Sequence, residues 1–198
     1  MKLARRMLIV ALLLVAVIPA SAKVVFTPLN VSVPVNGSYP IDLNHDGVAD
    51  FTLQTELVQD YCQFGDGYIW SLSVVPARGN AVVADSVTLA PAAYADALLI
   101  GQPVDSSRRF YPDDALLADL SWGSCGTGVL GGWLNLPNRY LGLQFHGASA
   151  NEIHYAWAKM SVAAYVDQHG RLQASIILSG FAYETVSGKG IMTGQTSD

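Results

Sequence analysis

Three long stretches in the last third of the chain favour strand, and the links between them allow little except reversal. Arg139 to Phe145, Ile153 to Val166 and Arg171 to Thr185 are rich in β-branched and aromatic side chains. Gly147-Ala148-Ser149-Ala150-Asn151 and Asp167-Gln168-His169-Gly170 separate them, both with turn chemistry. Consecutive strands with short links pair antiparallel, so a meander is expected. Upstream, Phe51 to Thr55 alternates and Tyr68 to Val74 is rich in aromatic and β-branched residues. The middle reads differently. Pro91 to Ile100, and Pro112-Asp113-Asp114 before Ala115-Leu116-Leu117, place Pro and acids where helices start, so two short helices are expected there. Five glycines between Ser121 and Gly132 suggest a long loop. The expected fold is mainly β: a single antiparallel β-sandwich or jelly-roll-like domain with one or two short helices.

The N-terminus has the three parts of a secretory signal. Lys2, Arg5 and Arg6 precede an apolar run from Met7 to Ile18, and Ala20-Ser21-Ala22 offers a cleavage site. The run is about a dozen residues, whereas a membrane-spanning helix takes roughly 20, so a cleaved leader is expected rather than an anchor. The division expected is a signal peptide over 1–22 and one exported β-rich domain over 23–198, periplasmic or secreted. Removing the three leader cations from eleven basic against sixteen acidic residues leaves a formal charge of −8. That balance argues against nucleic acid or an anionic membrane surface as partner.

In an oxidising compartment the two cysteines, Cys62 and Cys125, are expected to form a disulfide. Free thiols and a metal pair are the alternatives. Neither cysteine has a second Cys or a His at ligand spacing. Asp42-Leu43-Asn44-His45-Asp46-Gly47-Val48-Ala49-Asp50 has the form D-x-N-x-D-G-x-x-D. Alternate oxygens in such a loop can converge on calcium, which takes 6–8 oxygen ligands. The expected set is the side chains of Asp42, Asn44, Asp46 and Asp50, with the Val48 carbonyl or water completing the shell of a structural ion. An EF-hand would need a Glu where Leu53 stands and a helix where a strand pattern begins. The plain alternative is a polar hairpin turn.

A catalytic constellation is hard to find. Glu152 and His154 share a strand face and could act as an acid–base pair, although a hydrogen-bonded strand-edge histidine is the simpler reading. Gly123-Ser124-Cys125-Gly126 lacks the Gly that a nucleophile elbow needs, because residue 122 is Trp. A sugar hydrolase would need two carboxylates on one cleft, and Glu152 and Glu184 are the candidates. Among the tryptophans, Trp122 and Trp133 flank the glycine-rich stretch and are expected to be the exposed pair, ligand-binding candidates together with His154.

Tyr140-Leu141-Gly142-Leu143-Gln144-Phe145, His154-Tyr155-Ala156-Trp157-Ala158-Lys159-Met160-Ser161-Val162 and Gly180-Phe181-Ala182-Tyr183-Glu184-Thr185-Val186 form an ordered set. It resembles the "YIGLxF", "HYGWARLxV" and "GYAYET" segments of exported bacterial proteins of the PEP-CTERM-associated type. Residues 42–50 are similar to the upstream "DxNxDGxxDF" loop of that group and to the calcium loops of the FG-GAP type. The resemblance implies surface and extracellular-polymer biology and supplies no catalytic residues. The chain ends Thr193-Gly194-Gln195-Thr196-Ser197-Asp198, without the group's Pro-Glu-Pro signal, apolar stretch and basic cluster. A fate without a transmembrane anchor is therefore expected. The expectation for function is a non-enzymatic exported β-domain with one structural calcium, meeting an extracellular polysaccharide or a cell-surface component. The alternative is a carbohydrate-active hydrolase using Glu152 or Glu184.

Overall fold

The computed structural model describes residues 23–86, 93–147, 149 and 151–198, and the expected leader over 1–22 lies outside them. The described residues are mainly β, with fourteen strands and no helix. The first half supplies β1 (Val24–Val33), β2 (Ser38–Ile41), β3 (Phe51–Cys62), β4 (Gly65–Pro76) and β5 (Ala81–Ser86). Short strands follow: β6 (Ala93–Ala95), β7 (Pro103–Val104) and β8 (Phe110–Tyr111). The rest comprises β9 (Ala115–Gly123), β10 (Gly128–Leu130), β11 (Leu136–His146), β12 (Ile153–Val166), β13 (Leu172–Glu184) and β14 (Ile191–Met192).

The meander is present as β11, β12 and β13, in antiparallel register along nearly their whole length. Its second turn is closed by the Gly170 N–H donating to Asp167 O (2.9 Å), with Gly170 at φ +75°. Neither expected helix is found among the described residues, and each stretch contributes a strand instead. Ala93–Ala95 is β6, and Ala115–Gly123 is β9, which lies between β4 and β6 and pairs with β6 in parallel. A central strand covered on both sides loses polar alternation and reads as an apolar run, so the Ala115-Leu116-Leu117 segment was open to either reading. The glycine-rich stretch is partly ordered as well, since β10 pairs back on β9.

One hydrogen-bonded path runs β1-β13-β12-β11-β5-β6-β9-β4-β3-β2 and curls into a nearly closed, barrel-like arrangement. β5 makes the corner. Its Val82 pairs with Leu143 of β11, while Ala84 pairs with Ala95 of β6. The principal core lies inside, built from Phe51, Leu53, Trp70, Leu72, Leu117, Trp133, Leu141, Leu143 and Phe145, with Met160 and Ile176 from the meander. β12 is covered on both faces. Ala156, Ala158, Met160 and Val162 face that core, and Tyr155 and Trp157 enter a second, outer cluster with Val83, Leu98, Tyr140 and Ile191. Gly142 marks a close approach on this outer side, where an added Cβ would lie 2.6 Å from Val83 Cγ2.

Candidate functional site

Residues 42–50 connect β2 to β3, and their own side chains fold the loop. Asp42 accepts at both oxygens, from the N–H of Asp46 at Oδ1 (3.2 Å) and of Gly47 at Oδ2 (2.8 Å). Asp46 Oδ1 accepts the Val48 N–H at 2.8 Å, and Asn44 Nδ2 donates to Asp46 Oδ2 at 3.0 Å. His45 and Gly47 take positive φ, +60° and +88°, which tightens the curl. Asp50 is different in kind: it is buried, and its Oδ2 accepts the Leu43 N–H at 2.8 Å. Asn80 donates from Nδ2 to Asp50 O (3.0 Å) and more distantly to Oδ1 (3.4 Å), and its own Oδ1 accepts the His146 N–H (3.1 Å). Across the barrel seam, His45 Nε2 is hydrogen-bonded to Thr27 Oγ1 of β1 at 2.8 Å.

Burial pushes the Asp50 carboxyl up to about 6, against the opposing bonds from Leu43 and Asn80, and the charges of Asp46 and Asp42 push the same way. Among the described residues, the ion pairs join Asp167 to His169 and Arg171, and Glu184 to Lys189, so no basic side chain pairs with the loop carboxylates. No group of three His, Cys, Asp or Glu among the described residues stands poised to hold a metal ion. The carboxylates face backbone N–H groups of the loop, while Val48 is an exposed residue at its rim. A carboxylate carries about four lone-pair positions, so these bonds leave oxygen sites free for a hard cation, and Asn44 Oδ1 adds one more.

Cys62 and Cys125 form a disulfide with Cα atoms 5.6 Å apart. It ties the tip of the β3–β4 hairpin to the segment after β9. Closing a loop of 63 residues corresponds to roughly 4 kcal/mol in the chain-entropy account.

The expected exposed tryptophan pair is a correction. Trp133 is wholly buried in the principal core, with its Nε1–H donating to Ala95 O at 2.9 Å, and offers no face to a ligand. Trp122 is only 8% exposed. Its ring stacks on Tyr68 (centroids 5.5 Å apart, planes at 24°), and its Nε1–H donates to Gly170 O at 3.1 Å. The partly exposed member of that stack is Tyr68, at 39%.

His154 is buried beside Phe145, with Nδ1 hydrogen-bonded to Glu184 O at 2.9 Å, so its ring is anchored to the neighbouring strand. Glu152 is exposed just before β12, and its Oε2 and His154 Nε2 both lean over Gly147. Glu184 is wholly buried and holds Lys189 Nζ at 2.7 Å. Burial alone would raise its carboxyl, but the Lys189 hydrogen bond, the Val186 N–H and the Lys189 charge outweigh that and hold it below the usual range. An inaccessible carboxylate kept ionised is unsuited to protonating a leaving group.

Asn80 and Tyr68 are the functional candidates that sequence reasoning missed. Asn80 gives no local signal, because its partners lie 30 and 66 positions away. Tyr68 sits in a strand-like run where aromatics are ordinarily core, and only the register beside Trp122 shows its place. No family model, no curated protein and no solved structure matches the chain.

Proposed function

We propose that the protein is an exported, non-enzymatic β-domain, periplasmic or secreted, whose 42–50 loop takes one structural calcium and whose surface meets an extracellular polysaccharide or another cell-surface component. The observation that carries the calcium reading is Asp50: a buried carboxylate beside Asp42 and Asp46, with no ion-pairing cation among the described residues. Such an arrangement is costly unless a cation is supplied. Asp42, Asn44, Asp46 and Asp50 would give side-chain oxygens and Val48 its carbonyl, with water for the remaining places. The disulfide fits an oxidising compartment and so supports export. No comparable observation favours a hydrolase built on Glu152 or Glu184.

The test is thermal unfolding of the oxidised protein in calcium and in chelator, repeated for Asp46→Ala. Calcium should raise the midpoint of the parent and leave the variant unmoved, because a ligand bound only by the folded state stabilises it by mass action. A parent midpoint that ignores millimolar calcium reduces the loop to a turn.

A further inference from the structure

The inward faces of β3, β4 and β9 continue past the end of the principal core. On β3 the inward positions pass from buried Leu53 and Thr55 through Leu57 and Gln59 to Tyr61, which is 72% exposed. On β4, Trp70 is buried, and Tyr68, two residues nearer the hairpin tip, is partly in solvent. The register sets Gln59, Tyr68 and Trp122 in one row, and directly paired residues share a face. Opposite that row is the β12–β13 turn. Between them lies an open cleft of about 560 Å³ lined by Leu57, Tyr68, Trp122, His169, Arg171 and Leu172.

Both walls of this cleft are fixed. The bond from Trp122 to Gly170 O joins one wall to the other, and the disulfide pins the tip of the β3–β4 hairpin to the segment just after β9. The turn is held by Asp167, whose Oδ1 accepts the N–H of His169 (2.8 Å) and of Arg171 (3.0 Å). A preformed cleft loses little ordering entropy when it is filled.

We propose that this cleft binds a neutral saccharide chain, with one pyranose ring against Tyr68 and its hydroxyls at the polar rim of Gln59, His169 and Arg171. The proposal rests on the reading of the protein as a non-enzymatic surface domain and gives that reading its site and ligand class. A pyranose has an apolar C–H face and a polar edge, which matches a ring backed by a second ring and bordered by hydrogen-bonding side chains. A wholly apolar ligand would leave that rim unpaired. A polyanion is disfavoured, since the one guanidinium at the cleft is already paired, Arg171 Nη2 lying 3.0 Å from Asp167 Oδ2, and the chain as a whole is acidic.

The experiment is calorimetric titration of the oxidised full chain with cellohexaose, laminarihexaose and mannohexaose, with polygalacturonate as the anionic comparison. At least one neutral hexasaccharide should bind, and polygalacturonate should not. Tyr68→Ala should weaken binding by about tenfold or more, and Tyr68→Phe by no more than about twofold, because the ring does the stacking. Gln59→Ala, at an exposed position, checks the rim independently and should also weaken binding. The proposal is overturned if all three neutral sugars are silent at millimolar concentration, if polygalacturonate alone binds, or if Tyr68→Ala changes nothing. Sedimentation showing a dimer that Tyr68→Ala dissociates would overturn it too, by giving the cleft to a second copy. Titrations in calcium and in chelator keep the two readings apart: sugar bound without any calcium response retains the cleft and removes the cation, and the converse removes the cleft. Release of reducing ends would overturn the non-enzymatic reading instead.

Discussion

Asp50 shows how one residue can be a liability and a site at once. Its carboxyl titrates near 6 in the fold against an ordinary 3.8, with burial as the largest cause. Between those values the folded chain holds more protons at this position than the unfolded chain does. Its contribution to stability is therefore fully present below about pH 4 and is lost as pH rises through 6. Without metal, Asp50→Asn should stabilise the protein at pH 7 by on the order of 2 kcal/mol, solvent screening allowed for, and do little at pH 3.5. The same change should reduce the calcium response at pH 7. Urea unfolding at both pH values, in chelator and in calcium, reads the two signs. A variant equally stable with Asp or Asn at pH 7 in chelator would mean that the carboxylate is comfortable without a cation. The sequence made Asp50 visible through the spacing of the loop, but not its surroundings, which include Asn80 from the distant β4–β5 link.

The strands were legible where pairing is local. β12 spans the residues expected, and β11 and β13 differ from expectation by a few residues at their ends, because links of six and five residues impose the register. Legibility failed where a strand's neighbours come from far along the chain, as with β9, whose parallel contact with β6 depends on tertiary placement. One irregularity inside β13 carries its own prediction. Gly180 pairs with Lys159 and with Pro28, and the register breaks on both sides of β13 beside it, the mark of a bulge. Its φ is +148°, and an added Cβ would stand 2.8 Å from Thr27 O, with the Phe26 ring 3.1 Å away. Gly180→Ala should cost about 2 kcal/mol or more in urea unfolding, since strain and a backbone clash add. An unchanged midpoint would show that β1 can move off β13 at no cost.

At the scale of the whole molecule the chain covers its large sheet on two sides, and the last residues supply part of the outer cover. β14 pairs with β7, and Ile191 is buried in the outer cluster beside Trp157. Trp157 Nε1–H donates to Gln195 O at 3.2 Å, and Thr193 Oγ1 donates to Leu99 O at 2.6 Å while accepting the Gln102 N–H at 2.9 Å. Among the described residues, neither loop 42–50 nor the Tyr68 cleft has a hydrogen bond to this segment, so the outer cover and the candidate sites should be separable. Deleting 191–198 removes one buried isoleucine, worth about 2 kcal/mol, and gives up the part-buried hydrogen bonds to Leu99, Gln102 and Trp157, for a loss of about 3 kcal/mol or more. The truncated chain should keep its strand circular dichroism, bind a hydrophobic dye at the uncovered Trp157 side and unfold at lower urea. Its calcium and saccharide responses should match those of the full chain. A truncation that instead abolished both responses while leaving the strand signal intact would show that the outer cover sets the curl of the sheet, and with it the shape of both sites.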